Sequence, residues 1–219
     1  MISKFHYLTQ DIDTISHAEL AKQACAGGAD WVQLRVKNKN FEDWLCIAEE
    51  TKEICKKYNA RLIINDNAEI AKLVGADGVH LGRQDMSPRE ARKILGDNFI
   101  IGGSTNKMED VKWMIESGVD YLGIGPFRFT GTREKLNPIL GAEGIKKIMQ
   151  QCEKEKINIP FIAIGGIKME DVETLIDTGV HGIAVSSAIN LSAERSGSVR
   201  SFLRSLHYRV TNDLMTNHK

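Results

Sequence analysis

Four short phrases along the chain share one pattern of polar and apolar positions. They read AGGADWVQL, VGADGVHL, SGVDYLGI and TGVHGIAV. Each phrase ends a helical pattern with glycine, passes a small residue and a polar one, and then enters a short apolar run. Glycine after the last turn is typical of a helix C-cap, and a short run that is apolar throughout is typical of a strand buried on both faces. The pattern therefore predicts a repeated unit of helix and strand.

Similar apolar runs without the full phrase occur at RLIIN, FIIGG and PFIAIGG, and FHYLT lies near the start of the chain. With the four phrases they predict eight strands, at residues 5–9, 31–36, 61–65, 78–81, 99–103, 121–125, 160–164 and 182–186. Helical spacing fills the segments between them. One helical face is predicted from Phe41, Leu45, Ala48, Cys55 and Tyr58, and another from Val199, Phe202, Leu203 and Leu206. Ser87, followed by Pro88 and with Glu90 at capping-box distance, predicts a helix start.

Eight strand-and-helix units in 219 residues, about 27 residues each, indicate the α/β class and a (β/α)8 TIM barrel near the short end of its size range. A doubly wound open sheet is the alternative. No linker rich in proline, glycine or serine divides the chain, so we predict one TIM-barrel domain over residues 1–219, with 210–219 as a frayed tail. Active sites of such barrels lie where the carboxyl ends of the strands meet, so the residues that follow each strand are the candidates.

Composition narrows the class of function. The chain is 42% hydrophobic and 26% charged with a formal net charge of zero, which argues against nucleic acid or an anionic membrane as the main partner. Its four cysteines form no CxxC pair, no apolar run approaches the length of a membrane span, and the N-terminus lacks a signal-length apolar core. We expect a cytoplasmic protein with reduced thiols that acts on small molecules. The sequence is compatible with a homo-oligomer and does not fix the oligomeric state.

A cationic group of residues follows the second predicted strand. Gln33, Arg35 and Lys37 are spaced by two in QLRVK, so strand alternation would place all three on one side. A guanidinium and an ammonium side by side suit an anion such as a polyphosphate. The alternative is a solvated strand end that makes surface salt bridges.

Two carboxylates follow the next two strands. Asp66 comes after Asn65 in IINDN, and Asp85 ends HLGRQD. Carboxylates from adjacent strand ends can share Mg²⁺, which takes one or two carboxylates together with water and phosphate oxygens. General acid–base chemistry is a rival use, and helix capping and turn formation are the structural alternatives. His80, inside the fourth strand, is expected to be a core histidine, and His181 is expected at the opposite end of the barrel.

A glycine- and hydroxyl-rich group follows the later strands. Ser104 and Asn106 follow the fifth strand, and the loop GPFRFTGTREK after the sixth supplies Thr130, Thr132 and Arg133. A Gly-Gly pair follows the seventh strand and a Ser-Ser pair the eighth, where barrels often bind phosphate through backbone N–H groups. Two separate anion sites on one face suggest two phosphorylated substrates.

The motifs QLRVK, LIINDN, GADGVHLGRQD, IGGST, YLGIGPFRFTGT, AIGGI and AVSSAI occur in the order found in thiamin phosphate synthase, and the resemblance to that family runs from about residue 31 to residue 189. It implies a transferase that joins hydroxymethylpyrimidine diphosphate to hydroxyethylthiazole phosphate and releases pyrophosphate. The implied chemistry is Mg²⁺-assisted dissociative loss of pyrophosphate, followed by attack of the thiazole nitrogen. Positioning and electrostatics would then carry the catalysis, without a general base.

The resemblance also implies roles for individual residues. Those expected to hold the pyrimidine diphosphate are Gln33, Arg35, Lys37, Asn65 and Ser104. Those expected to hold the thiazole phosphate are Thr130, Thr132, Gly166, Ser186 and Ser187. Asp66 and Asp85 would bind Mg²⁺. The residues expected to act on the reacting groups are Arg35, Lys37, Ser104 and Arg133.

Two departures from the family pattern bear on these roles. Arg133 stands where the family usually has lysine, and the planar guanidinium is not equivalent to a compact ammonium. Arg83 and Gln84 differ from the usual residues after the glycine of that motif, but Asp85 keeps its register.

Three rivals remain at the level of sequence. The first is a thiazole tautomerase, whose catalytic histidine would fall at Asn106. The second is another phosphate-binding barrel with a Schiff-base lysine in a strand. The third is a non-catalytic barrel that binds a thiamin precursor, which only Arg133 favours. The asparagine at 106 and the retained charged residues favour the synthase.

Overall fold

The computed structural model describes residues 1–129 and 138–216, with side chains described as far as Leu206. Its eight strands are Phe5–Leu8 (β1), Trp31–Leu34 (β2), Arg61–Asn65 (β3), Gly78–Leu81 (β4), Ile100–Thr105 (β5), Tyr121–Ile124 (β6), Phe161–Ile164 (β7) and Gly182–Val185 (β8). They form one closed parallel barrel in sequence order. The register pairs Leu8 with Gln33, and it closes the barrel by pairing Phe5 with Ile183. This closure confirms the TIM barrel and excludes the open sheet.

The helices in the described residues are His17–Ala26 (α1), Phe41–Lys57 (α2), Ala68–Leu73 (α3), Pro88–Leu95 (α4), Met108–Glu116 (α5), Gly141–Lys154 (α6), Val172–Ile176 (α7), Ser187–Asn190 (α8) and Arg195–Thr216 (α9). A 3₁₀ turn, Met169–Asp171, precedes α7. The capping box expected at Ser87 and Glu90 is present, with Pro88 in the first turn of α4. The backbone of α9 is helical as far as Thr216, so it extends into the segment expected to fray.

The repeated phrases shape the end of the barrel where the strands begin. Their glycines have positive φ, for example 59° at Gly75 and 86° at Gly118, which favours glycine at these helix ends. The aspartates that follow accept hydrogen bonds from the preceding strand, since Asp77 binds the N–H of Leu62 and Asp120 that of Ile101. His181 lies at this end too, with Nε2 3.1 Å from the Ile2 carbonyl, as predicted. These phrases therefore stabilise the face opposite the site.

Two apolar layers hold the barrel together. The larger lies between strands and helices, and the smaller fills the barrel interior with Leu8, Trp31, Ile63, Tyr121, Ile162 and Ala184. Alternate residues of each strand point inward, so the next inward positions towards the carboxyl ends, Gln33 and Asn65 among them, reach the mouth of the barrel. The polar residues of the site therefore lie next to a packed apolar layer inside the barrel.

The helical faces agree only partly with the predicted ones. Val199, Phe202 and Leu206 of α9 are buried. In α2 the prediction was wrong at both ends, because Phe41 and Tyr58 are 40% and 43% exposed. The buried face of α2 runs instead through Ala48, Thr51 and Cys55.

The cysteines in the described residues are free. Cys25, Cys55 and Cys152 are buried, whereas Cys46 is exposed on α2. No helix within the described ranges is long and apolar enough to cross a membrane.

Candidate active site

A pocket with about 850 Å³ of empty space, part of it open to solvent, lies at the carboxyl ends of the strands. Seven of the predicted site residues line it: Gln33, Arg35, Asn65, Ser104, Gly166, Ser186 and Ser187. These seven residues come from five of the eight strand ends, those of β2, β3, β5, β7 and β8, and the structure brings them together in one cavity.

Hydrogen-bonded polar pairs form the floor of the pocket. Gln33 Nε2 donates to Asn65 Oδ1 at 2.7 Å, and both residues are buried. His80 Nε2 lies 2.9 Å from Ser104 Oγ, and His80 Nδ1 lies 2.9 Å from the hydroxyl of Tyr121. Burial raises the pKa of the Tyr121 phenol far above its usual value, so that group stays protonated. When Tyr121 donates to Nδ1, Nε2 donates to Ser104, whose own hydroxyl hydrogen remains available to a ligand.

The predicted cationic group lies in the loop that follows β2. The strand ends at Leu34, two residues before the predicted end, so Arg35 and Lys37 are outside the ladder. Their backbone N–H groups donate instead to Thr9 Oγ1 and Asp11 Oδ2, each at 3.1 Å. Both cations are half-buried, and Arg35 lines the pocket. Lys37 is not among the residues that line it.

The two predicted metal ligands follow adjacent strands, β3 and β4. Asp66 is exposed, has a φ of 65° and donates its backbone N–H to the carbonyl of His80 at 2.8 Å. Asp66 is not the cap of α3, because Asn67 takes that role by accepting from the Ile70 N–H. Asp85 Oδ2 accepts the N–H of Gly82 at 2.6 Å, which is the turn role foreseen for it.

The donor set at these strand ends is compatible with Mg²⁺ but incomplete by itself. No group of three or more histidine, cysteine, aspartate or glutamate residues in the described parts of the chain could hold a metal. Mg²⁺ commonly takes one or two protein carboxylates and completes its shell with water and substrate phosphate. Asp66 and Asp85 provide that number and type of protein ligand.

The side of the pocket that follows β7 and β8 is shaped largely by backbone. Gly165 and Gly166 have φ of 106° and 66°. A Cβ on Gly166 would lie 3.0 Å from the carbonyl oxygen of Phe129, so a side chain there would be strained and would require the loop after β6 to shift. Ser186 Oγ donates to Gln10 Oε1 at 3.3 Å and accepts from Asn190 Nδ2 at 3.1 Å, at the start of the short helix α8.

Two side chains fix the ends of the loop after β6. Arg128 forms two hydrogen bonds to the Asp171 carboxylate, at 2.7 and 2.9 Å, and a third to the Gly166 carbonyl at 3.0 Å. Asn106 Nδ2 donates to the carbonyls of Gly125 and Pro138, at 2.8 and 2.9 Å. The predicted residues Thr130, Thr132 and Arg133 lie outside the described residues.

His80 is the main residue whose place in the pocket the sequence analysis missed. It is a buried, hydrogen-bonded histidine as predicted, but it faces the barrel interior and also lines the pocket. Every residue of β4 is buried, so alternation could not assign a face. The available signal was a single polar residue close to the carboxyl end of an apolar strand.

The closed barrel, with a polar pocket at the carboxyl ends of its strands, has the architecture of a (β/α)8-barrel enzyme. A family model described as thiamine monophosphate synthase matches residues 6–189. The chain therefore belongs to the thiamine monophosphate synthase family, and it is a transferase of thiamine biosynthesis.

Individual relatives agree with this assignment. The chain is 45% identical over 210 residues to a thiamine-phosphate synthase of Flavobacterium johnsoniae, covering 96% of this chain and 99% of that protein. It is 48% identical over 183 residues to a thiamine-phosphate synthase of Bacteroides fragilis, covering 84% and 90%. The solved structure of a thiamine phosphate pyrophosphorylase from Pyrococcus furiosus matches with a TM-score of 0.82 at 31% identity, covering 94% of this chain and 96% of that one.

Proposed function

We propose that the protein condenses hydroxymethylpyrimidine diphosphate with hydroxyethylthiazole phosphate to form thiamin phosphate and pyrophosphate. The observation that carries the proposal is one pocket with two different walls. One wall presents Gln33, Arg35 and Asn65, and the other presents Gly166, Ser186 and Ser187. A pocket of this kind can hold two phosphorylated substrates with their reacting ends towards each other.

The first wall would bind the pyrimidine diphosphate. Gln33 and Asn65 are already joined to each other and offer their remaining amide groups to the pyrimidine ring or its amine. Ser104, held by His80, is placed to donate a hydrogen bond to the same substrate. Arg35 and Lys37 would neutralise the diphosphate, because a guanidinium and an ammonium favour closely spaced phosphate oxygens.

Asp66 and Asp85 would hold Mg²⁺ beside this diphosphate. The metal ion, when bound, would supply positive charge that favours departure of pyrophosphate. Asp66 and Asp85 would present two carboxylates from neighbouring strand ends, and the Gly82 N–H would keep Asp85 oriented.

The second wall would bind the thiazole phosphate. Gly165 and Gly166 carry no side chains, so their backbone can approach a phosphate closely, and the Ser187 hydroxyl and the N–H groups of Ser186 and Ser187 would add donors. Thr130 and Thr132 are proposed to contribute from the loop after β6. Arg133 is proposed to act near the diphosphate in place of the family's lysine.

The proposed reaction breaks the bond between the pyrimidine methylene carbon and the diphosphate oxygen, and pyrophosphate leaves with that electron pair. The electron-rich aminopyrimidine stabilises the resulting cation, and the thiazole nitrogen supplies the pair for the new carbon–nitrogen bond. No proton has to be removed from the nucleophile, so a general base is unnecessary. The residues of the pocket contribute orientation and charge neutralisation.

Asn106 argues against the tautomerase alternative. An amide side chain is not a proton acceptor of the strength that isomerisation needs, and its Nδ2 is bound to the carbonyls of Gly125 and Pro138. Its observed contacts give it the role of holding together the two ends of the loop after β6.

The test is product formation from the two precursors with and without Mg²⁺, in the wild type and in an Arg133→Lys variant. We expect thiamin phosphate from the wild type only when Mg²⁺ is present. Product from the variant alone would mean that Arg133 impairs an otherwise intact site. Absence of product from both proteins, with both precursors shown to bind, would contradict the proposed reaction.

A further inference from the structure

Side chains of the loop between β1 and α1 hydrogen-bond to the backbone of the cationic residues Arg35 and Lys37. Pairing of β1 with β2 ends at Leu8 and Gln33, after which the Thr9 N–H donates to the Gln33 carbonyl at 3.1 Å. Beyond that point the chain turns away from β2. The next two N–H groups on that edge, those of Arg35 and Lys37, are bound by side chains in place of a strand.

Those two acceptors are joined by a third residue, His17. Its Nδ1 lies 2.8 Å from Thr9 Oγ1, and its Nε2 lies 3.1 Å from Asp11 Oδ1. Asp11 uses its other oxygen, Oδ2, for the Lys37 N–H. One imidazole thus links the hydroxyl that holds Arg35 to the carboxylate that holds Lys37.

A neutral imidazole gives every group of this network a partner. Thr9 Oγ1 accepts from the Arg35 N–H, its own hydrogen can be donated to His17 Nδ1, and the tautomer that accepts it carries the Nε2–H that is donated to Asp11. Burial lowers the pKa of His17, which agrees with the neutral form. His17 is only 7% exposed and Thr9 is fully buried, so an unsatisfied group here would be costly.

Helix formation does not explain this histidine. The N-cap of α1 is Ser16, whose side chain accepts the Glu19 N–H, so α1 begins without help from His17. None of Thr9, Asp11 and His17 is among the residues lining the pocket, so direct substrate contact does not explain them either. Their shared contacts are with the backbone of Arg35 and Lys37.

We propose that His17 is a positioning residue that, through Thr9 and Asp11, fixes the backbone of Arg35 and Lys37 and so aims both cations at the diphosphate. This inference rests on the proposed role of Arg35 and Lys37 in binding the diphosphate. It adds to that role a buried network outside the pocket, on which the affinity for the diphosphate depends.

The test compares His17→Leu with His17→Gln by calorimetric binding of inorganic pyrophosphate in the presence of Mg²⁺. Leucine removes both hydrogen bonds, whereas glutamine keeps one acceptor and one donor on a single group. We expect affinity for pyrophosphate to fall about tenfold in His17→Leu, equivalent to about 1.4 kcal/mol, and to be largely restored in His17→Gln. The KM for the thiazole phosphate should change less than about twofold, because its wall reaches this loop only through the hydrogen bond from Ser186 to the Gln10 side chain and does not contact Thr9, Asp11 or His17.

Two control variants separate positioning from general damage. His181→Leu removes a histidine at the opposite face and should leave pyrophosphate affinity unchanged. Arg35→Ala tests the proposed function itself, because unchanged pyrophosphate affinity in this variant would contradict the proposed diphosphate site. Weakened binding in Arg35→Ala, with normal binding in His17→Leu, would overturn only the positioning role.

A folding defect in His17→Leu would not leave the question open. Thr9→Val keeps nearly the same shape and removes the hydroxyl shared by Arg35 and His17, so it should weaken pyrophosphate binding with the same selectivity. Normal pyrophosphate affinity in a folded Thr9→Val protein, or an equal loss of affinity for both substrates, would overturn the proposal.

Discussion

Asp66 and Asp85 differ in what else their carboxylates do. Asp85 accepts the Gly82 N–H, so truncating it disturbs the turn after β4 as well as any bound cation. Asp66 is exposed, and the cap of α3 is provided by its neighbour Asn67. Asparagine in place of Asp85 keeps an acceptor for Gly82 but removes the charge, so the two substitutions at this position separate the structural contribution from the electrostatic one.

We predict that Asp66→Ala and Asp85→Ala each abolish Mg²⁺-dependent turnover, and that Asp85→Asn shows nearly the same loss with a normal unfolding temperature. The reason is that both carboxylates contribute charge to a single cation site. Titration of Mg²⁺ against initial rate measures the loss, and circular dichroism checks the fold. Near-normal rates in both alanine variants would contradict the proposal that these carboxylates bind Mg²⁺.

At the scale of elements, the loop after β6 is anchored to the segment after β7. Arg128 binds Asp171 through two hydrogen bonds and also reaches the Gly166 carbonyl, and the Asp171 side chain is only 9% exposed. The same carboxylate accepts the Lys168 N–H at 2.8 Å. A single ion pair therefore connects the loop that carries Thr130 and Thr132 to the glycines of the proposed phosphate site.

We predict that Arg128→Met raises the KM for the thiazole phosphate about tenfold, while the KM for the pyrimidine diphosphate stays within about twofold. Loss of the charged hydrogen bonds should also lower the free energy of unfolding by about 1 to 3 kcal/mol. Steady-state kinetics with each substrate varied and urea denaturation measure the two effects.

The matched control is Glu155→Gln, which breaks a more exposed ion pair with Lys112. Exposed pairs contribute about 1 kcal/mol or less, so this variant should keep both KM values and most of the stability. An equal rise of both KM values in Arg128→Met would contradict the anchoring role.

The elements also show what the sequence could and could not predict. The number and type of strands were predictable, because each glycine–polar–apolar phrase corresponds to a helix end, a polar side chain that hydrogen-bonds a neighbouring part of the chain, and a strand. The end of β2 was not predictable, since Thr9 and Asp11, remote in sequence, take the N–H groups that a longer strand would use. The loop contacts of Asn106 and Arg128 likewise depend on partners that only the folded chain brings near.

At the scale of the whole molecule, the barrel interior contains two buried histidines, His6 and His80. His6 stacks on Trp31 with ring centroids 4.2 Å apart and contacts Tyr121 edge-on, and its Nε2 lies 3.0 Å from the Ser3 carbonyl. Burial, with a smaller contribution from nearby His80, lowers the pKa of His6 well below 6.5. The folded barrel therefore holds His6 as a neutral hydrogen-bond donor, whereas the unfolded chain leaves it free to bind a proton.

This difference predicts that acid weakens the fold before the carboxylates titrate. Above about pH 6.5 the imidazole is neutral in both states, so it contributes no pH dependence. Below about pH 6.5 the unfolded state gains the proton first, and the free energy of unfolding falls by up to about 1.4 kcal/mol per pH unit for each such histidine. His17, whose pKa is lowered by burial as well, adds to the same slope.

Urea denaturation between about pH 7 and about pH 5.5 measures this slope, in a range where side-chain carboxylates remain ionised. A His6→Gln variant keeps a donor for the Ser3 carbonyl but has no proton to gain, so it should be less stable at neutral pH because of poorer packing on Trp31, yet lose less stability on acidification. The two curves of unfolding free energy against pH should therefore converge as the pH falls. Parallel curves over this range would mean that the barrel interior accommodates the protonated ring. The apolar layer beneath the pocket would then be more accessible to water than its packing indicates.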